Sequence, residues 1–268
     1  MKKWYKKNHR TFEWRNSNNP WQILLIETLA QQTQLERANV FYQKFIKKYP
    51  TPKDMANDSK KEVLRLWSGL GYNNRAIRLH STSKILSETG FDELYPNFTV
   101  LPGVGVYTNS ALLSFAYGER VVAIDTNIKR IIQRYFKIQG KDIDIFLIEN
   151  KSLLLNRFDS RDFNQALMDL GATICKSRNP KCDICPLEPK CNKFIMENKK
   201  KQSKFEGSMR QKRGAVLKML LSDESLTKEK ISKELQVSNQ ALDDTLDSLV
   251  KDGLIQFSKN KLIVINDN

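Results

Sequence analysis

Leu101-Pro-Gly-Val-Gly-Val-Tyr-Thr108 joins the end of one helical pattern to the start of the next through two glycines. Glycine tolerates positive φ and close backbone approach, so amides opening the following helix can face a phosphate oxygen. A Gly-Val-Gly turn is also compatible with a plain loop. Pro102 before it and the long helical pattern after it favour the hairpin of a helix-hairpin-helix element, which grips a nucleic-acid backbone without reading bases.

Outward from the hairpin the chain reads as helical. Apolar positions recur at helical spacing through residues 20–90, among them Ile23, Leu24, Ile26 and Leu29, then Val63, Leu64, Leu66 and Trp67. A second helical block runs from about Ser110 to Leu170, and few strand patterns interrupt either. In Val121-Val-Ala-Ile-Asp-Thr-Asn-Ile-Lys-Arg130, Asp125 ends an apolar run. A carboxylate there caps the helix starting near Thr126, or serves as a catalytic group on the floor of a cleft, and the two roles are compatible. Glu27 sits in Trp21-Gln-Ile-Leu-Leu-Ile-Glu-Thr-Leu-Ala30. Taken alone it is a solvated helix face, with a catalytic acid as the rival reading. Gln31 and Gln32, on the same terms, are polar helix surface, and Tyr72 is core.

Cys175, Cys182, Cys185 and Cys191 are the chain's four cysteines, separated by six, two and five residues. Thiolates so spaced can close around one iron–sulfur cubane. A four-cysteine zinc cage and a pair of disulfides are the alternatives, although the paired short spacings of a zinc ribbon and a secretory segment are both missing from the sequence.

The chain's 268 residues can bury a substantial core in two or three compact units. No apolar run approaches the ~20 residues of a membrane span. Met1-Lys-Lys-Trp-Tyr-Lys-Lys7 is not the start of a signal peptide. The expected location is cytoplasmic and nucleoid-associated, with no membrane partner. A net charge of +15 and a pI near 9.6 point to a polyanion, nucleic acid first. Residues 207–268 hold ten basic and nine acidic side chains, so the surplus belongs to residues 1–206.

Residues 196–208 read as a basic linker. After it come helical patterns at about 210–222, 227–235 and 238–252, then β-rich runs Leu254–Phe257 and Leu262–Ile265 across a Ser-Lys-Asn-Lys turn. Three helices and a hairpin are the layout of a winged helix. Its recognition helix would carry Asp243, Asp244 and Asp247, the wrong sign for phosphates. Protein contact or an accessory role is therefore favoured over base readout.

Several blocks carry a resemblance. Ile26-Glu-Thr-Leu-Ala-Gln-Gln-Thr-Gln34, Leu66-Trp-Ser-Gly-Leu-Gly-Tyr72 with Arg75 and Ala76, Leu101–Thr108, Ile124-Asp-Thr-Asn-Ile-Lys-Arg130, Phe163-Asn-Gln-Ala-Leu-Met-Asp-Leu-Gly-Ala172 and the four cysteines follow in order. Together they resemble the MutY-type adenine DNA glycosylases of the helix-hairpin-helix superfamily that includes endonuclease III. The resemblance covers about residues 4–195. It implies a mainly α, two-lobed glycosylase fold with a [4Fe-4S] cluster on Cys175, Cys182, Cys185 and Cys191. The lobes would be 16–115, with six helices, and 1–15 plus 116–195, followed by the winged helix at 209–268.

By the same resemblance Glu27 is the general acid that protonates N7 of an extruded adenine, and Asp125 stabilises the positive charge developing on the deoxyribose. Asn127 helps hold Asp125 and water. Tyr107 stands where strand-cleaving relatives have a nucleophilic lysine, which implies a monofunctional enzyme; Lys129 is the nearby amine and a DNA-contacting candidate. Gln31, Gln32 and Tyr72 enter the duplex, while Gly103, Val104 and Gly105 grip phosphate. The implied partner is double-stranded DNA with an A·G or A·8-oxoguanine mispair, bound by a monomer. A partner protein could dock through the winged helix. Thymine or uracil removal from T·G or U·G pairs is the alternative on this scaffold, and a non-catalytic cluster-bearing DNA sensor is another. The resemblance stops short of the Nudix-like C-terminal domain of the family, for which residues 207–268 are too few.

Overall fold

A computed structural model describes residues 1–138, 142–150, 155, 159–194, 204–223, 225–258 and 263–265. Residues 196–203 of the expected linker and 259–261 of the expected C-terminal turn lie outside the described residues. The chain forms two compact units: Met1–Glu27, Tyr95–Val100 and Val104–Lys199 make the first, and Thr28–Leu94, Leu101–Gly103 and Lys200–Asn268 the second.

The first unit contains α1 (Lys2–Asn8), most of α2 (Pro20–Ala30), α7 (Val106–Phe115), α8 (Thr126–Phe136), α9 (Asp142–Glu149) and α10 (Ser160–Thr173). Its core gathers Ile128, Ile131 and Ile132 of α8 with Phe163, Leu167 and Leu170 of α10. The i, i+3, i+4 spacing puts each set on one helix face. Helix α1, which carries no apolar signal, is tied down by tertiary bonds: Tyr5 OH donates to Gln165 Oε1 at 2.8 Å. Beyond it, Arg10 Nε and Arg15 Nη2 each lie 2.6 Å from Asp169 Oδ1. Burial alone would raise the Asp169 carboxyl, but Arg15 and Arg10 hold it below the usual carboxylate range.

Helix α2 departs from the amphipathic expectation. Residues 23–29 are buried without a break. A helix apolar all round has no solvated face, so Glu27 is not on one. Asn19 opens the helix, its Oδ1 accepting from Trp21 N at 2.9 Å.

The second unit contains α3 (Leu35–Lys48), α4 (Pro52–Ala56), α5 (Lys60–Trp67), α6 (Asn74–Thr89), α11 (Met209–Ser222), α12 (Lys228–Leu235), α13 (Asn239–Lys251) and strands β1 (Ile255–Phe257) and β2 (Ile263–Ile265). Thr51 and Asp54 form a capping box at α4, and Ser59 caps α5. Phe45 meets Trp67 edge-on at 5.7 Å in the core. Ser208, Thr227 and Ser238 cap α11, α12 and α13. The strands pair antiparallel, with Ile255 opposite Ile265. Arg65 of α5 reaches Leu221 O at the end of α11 at 3.0 Å. No helix of the described residues is long and apolar enough to cross a membrane.

Candidate active site

The extended run before Asp125 is pinned from α10: Asn164 Oδ1 accepts from Ala123 N at 3.0 Å, and Ser160 Oγ donates to Val121 O at 2.7 Å. The chain then turns into α8 with Asp125 as N-cap, its Oδ1 accepting from Ile128 N at 2.7 Å and Oδ2 from Asn127 Nδ2 at 2.7 Å. The capping role read from the sequence is therefore realised. Burial raises the Asp125 carboxyl against these bonds, which pull it down.

Glu27, 8% exposed, accepts from Tyr107 OH at 2.6 Å. Burial pushes its carboxyl up to about 7; the Tyr107 bond opposes the shift, the charge of Asp125 adds to it and Arg15 offsets part. Tyr107 itself is raised well above the ordinary phenol by burial and by the charge of Glu27. The first unit thus brings Glu27, Tyr107 and Asp125 into one electrostatically coupled group. One carboxyl is poised to hold a proton near neutrality while the other keeps strong donors on both oxygens, a division suited to acid and charge-stabilising roles.

Sequence reasoning missed Arg130. Its Nη2 donates to Asn127 Oδ1 and to Gly171 O, each at 2.7 Å, and its Nε to Cys175 O at 2.7 Å. Arg134 adds bonds from Nη1 to Lys176 O at 2.6 Å and to Cys175 Sγ at 3.3 Å. Two basic positions four residues apart on α8 were the signal available. The close packing of α8 on α10 makes Gly171 specific, because an added Cβ would lie 2.5 Å from Asn127 Cβ. Gly171→Ala is expected to displace Asn127, lowering stability by ~1–3 kcal/mol in a denaturant titration and slowing the reaction with it.

None of the four cysteines forms a disulfide. Cys185 is raised by burial and by the other three thiols, and Cys191 Sγ accepts from Lys193 N at 3.4 Å. Among the described residues no group of three or more His, Cys, Asp or Glu side chains forms a site for a metal ion. The donor set, four cysteines of one loop outside any disulfide, with N–H and guanidinium donors on sulfur, fits an iron–sulfur cluster in its chemistry.

The wedge candidates lie in the second unit. Gln31 and Gln32 occupy a turn after α2, not a helix surface, and Tyr72 is 42% exposed, not core. Gln32 and Tyr72 have φ of 56° and 49°, a region that non-glycine residues seldom adopt. Buried Arg75 holds both turns: Nη1 donates to Thr28 O and Leu29 O at 3.0 Å and to Gln31 O at 2.5 Å, and Nη2 to Gly71 O at 3.0 Å. In the hairpin only Gly103 needs positive φ, at 84°; Gly105 is extended at −95°. Val104 is buried and Val106 78% exposed. Lys129 is half-buried, its backbone N donating to Asp125 O at 3.0 Å.

Residues 26–151 match the HhH-GPD superfamily of base excision DNA repair proteins. An adenine DNA glycosylase of Mycobacterium tuberculosis is 32% identical over 94% of this chain and 88% of its own length. The chain belongs to the adenine DNA glycosylases. A second such enzyme, from Buchnera aphidicola subsp. Baizongia pistaciae, is 37% identical over 75% of this chain, which spans 60% of that relative. Among solved structures, a thermostable thymine-DNA glycosylase aligns with a TM-score of 0.63 at 29% identity, covering 72% of this chain and 92% of that one. The mainly helical endonuclease III-like fold expected from the motifs is thus present.

Proposed function

We propose that this chain removes adenine from A·G or A·8-oxoguanine mispairs in duplex DNA by hydrolysing the N-glycosyl bond. The observation that carries the reading is the coupled pair: a buried Glu27 raised to about 7 and the fixed carboxylate of Asp125. Protonated Glu27 donates to N7 of the extruded base, so the base leaves neutral. Asp125, held by Ile128 N and Asn127, faces the positive charge that develops on the sugar. Tyr107 orients the Glu27 carboxyl and offers no amine, so no Schiff base forms and the abasic strand stays intact.

Gln31, Gln32 and Tyr72 fill the space of the extruded nucleotide, offsetting an extrusion cost of a few kcal/mol. Gly103, Val104 and Gly105 hold phosphate, and Lys129 adds a cation close to Asp125. Cys175, Cys182, Cys185 and Cys191 would hold a [4Fe-4S] cluster, whose role there would be structural, ordering the basic loop with Lys176, Arg178, Lys181 and Lys190. Residues 209–268 form a winged helix after a linker at 196–208, and the glycosylase part divides into lobes at 16–115 and at 1–15 with 116–195. The protein acts as a monomer.

The test is a duplex carrying one A·8-oxoguanine, A·G, T·G or U·G pair, analysed with and without alkali. Strand scission is expected only with alkali and only for the adenine pairs. Scission confined to T·G and U·G would assign the thymine specificity named in the solved relative. Scission without alkali would remove the monofunctional assignment.

A further inference from the structure

A groove of about 1280 Å³ lies within the second unit, between α11 and the turns that carry Gln31, Gln32 and Tyr72. The charged residues of its lining are six cations, Arg37, Arg75, Arg78, Arg210, Arg213 and Lys218, and one anion, Asp252. That anion is engaged by Arg213, and hydrogen bonds from Asn74 and Arg213 overcome its burial and keep its carboxyl below the usual range. The groove is therefore positive. Two exposed aromatic rings, Tyr72 and Phe205, also line it, and rings in a basic groove are a platform for bases.

One residue has no role in the folded chain. Arg210, Gly214 and Lys218 recur at four-residue spacing on α11, hence on one face, and all three line the groove. Gly214 is exposed in the middle of the helix, where glycine is destabilising relative to alanine. A Cβ built there meets nothing within 4 Å, and its φ is an ordinary helical one. Neither packing nor backbone geometry calls for glycine. A bare stretch of helix between two cations is suited to close approach by another backbone.

We propose that this groove seats the sugar-phosphate backbone of the DNA beside the wedge turns. Gly214 lets the strand come against α11, and Arg210 and Lys218 face the phosphates on either side. The two cations are ~12 Å apart along the helix, between three and four nucleotide steps at about 3.4 Å of axis per phosphate. Residues 209–268 then meet DNA through their first helix, α11. Its α13 presents Asp243, Asp244 and Asp247, of which Asp243 pairs with Lys228 at 2.5 Å, and stays away from the strand. The Mycobacterium relative matches 94% of this chain, a span that includes α11 whichever end is left out.

This inference rests on the reading of the chain as a DNA glycosylase. Its test uses the full chain and a duplex with a single A·G pair, with affinity measured by fluorescence anisotropy at two salt concentrations. Gly214→Ala is expected to raise the Tm of the free protein by about 2 °C yet weaken binding about tenfold. Lys218→Ala is expected to lower the slope of log affinity against log salt by about one. A Gly214→Ala protein that binds like the original, or a Lys218→Ala protein with an unchanged slope, would overturn the groove assignment. Unmodified protein that binds the duplex with these variant effects but releases no base would overturn the glycosylase reading and leave the groove standing.

Discussion

Asp125→Asn is expected to keep the fold and the affinity for mispaired duplex while lowering the single-turnover rate of base release by ~10³-fold, the upper end of the scale on which one preorganised electrostatic contact acts. Asparagine caps helices as well as aspartate does, so the bond from Ile128 N at 2.7 Å survives. The negative charge does not. The sugar then develops its positive charge beside a neutral amide, and Asn127, which donates to Oδ2 at 2.7 Å, can meet a second donor there. Removing an anion from a surface that binds DNA does not weaken binding, so affinity and rate separate. An unchanged rate on an A·G duplex would take Asp125 out of the reaction.

Glu27→Gln is expected to have the second largest effect, with activity and stability moving in opposite directions. The amide cannot give up a proton, and loss of a general acid lowers turnover by about 10²–10⁴-fold. In the unmodified enzyme the donating form persists below about pH 7, so the rate should fall tenfold per unit on the alkaline side. The unfolded chain releases this proton near 4.5 and the folded chain near 7. Between those values the folded state holds a proton that the unfolded state has lost, and stability declines as pH rises, by about 3 kcal/mol in all. Glutamine mimics the protonated acid and lacks that decline. Thermal melts should show the variant several degrees more stable at pH 8 and equal to the original at pH 4. Equal melting at both values would show that Glu27 is not a buried acid.

The contrast between these two carboxylates explains what could be read in advance. Asp125 announces its place locally: an apolar run, a capping residue and an amphipathic helix follow one another, and the structure repeats that order. The serine and threonine caps of α11 to α13 are equally local. Glu27 gives no such sign, because its burial depends on what surrounds α2 on every side. Tyr72 is a large ring that residue type alone places in the core, while the Gly-Leu-Gly turn before it ends the helical phase of Trp67 and leaves it exposed. Arg15 and Asp169 are 154 residues apart, and no spacing rule reaches that far. Arg130 shows in the sequence only as one of two basic residues four apart on a helix; the acceptors that define it include a neighbouring side chain, another helix and the cysteine loop.

A single guanidinium, that of Arg75, accepts nothing and donates to backbone oxygens on both the Gln31 turn and the Tyr72 turn. Residues forty positions apart along the chain are therefore mechanically one piece, indexed to a common peg. A displacement at Gln31 is felt at Tyr72, and substitutions in the two turns should fail to add. A lysine, with its charge at one point and no planar fork, could not serve both.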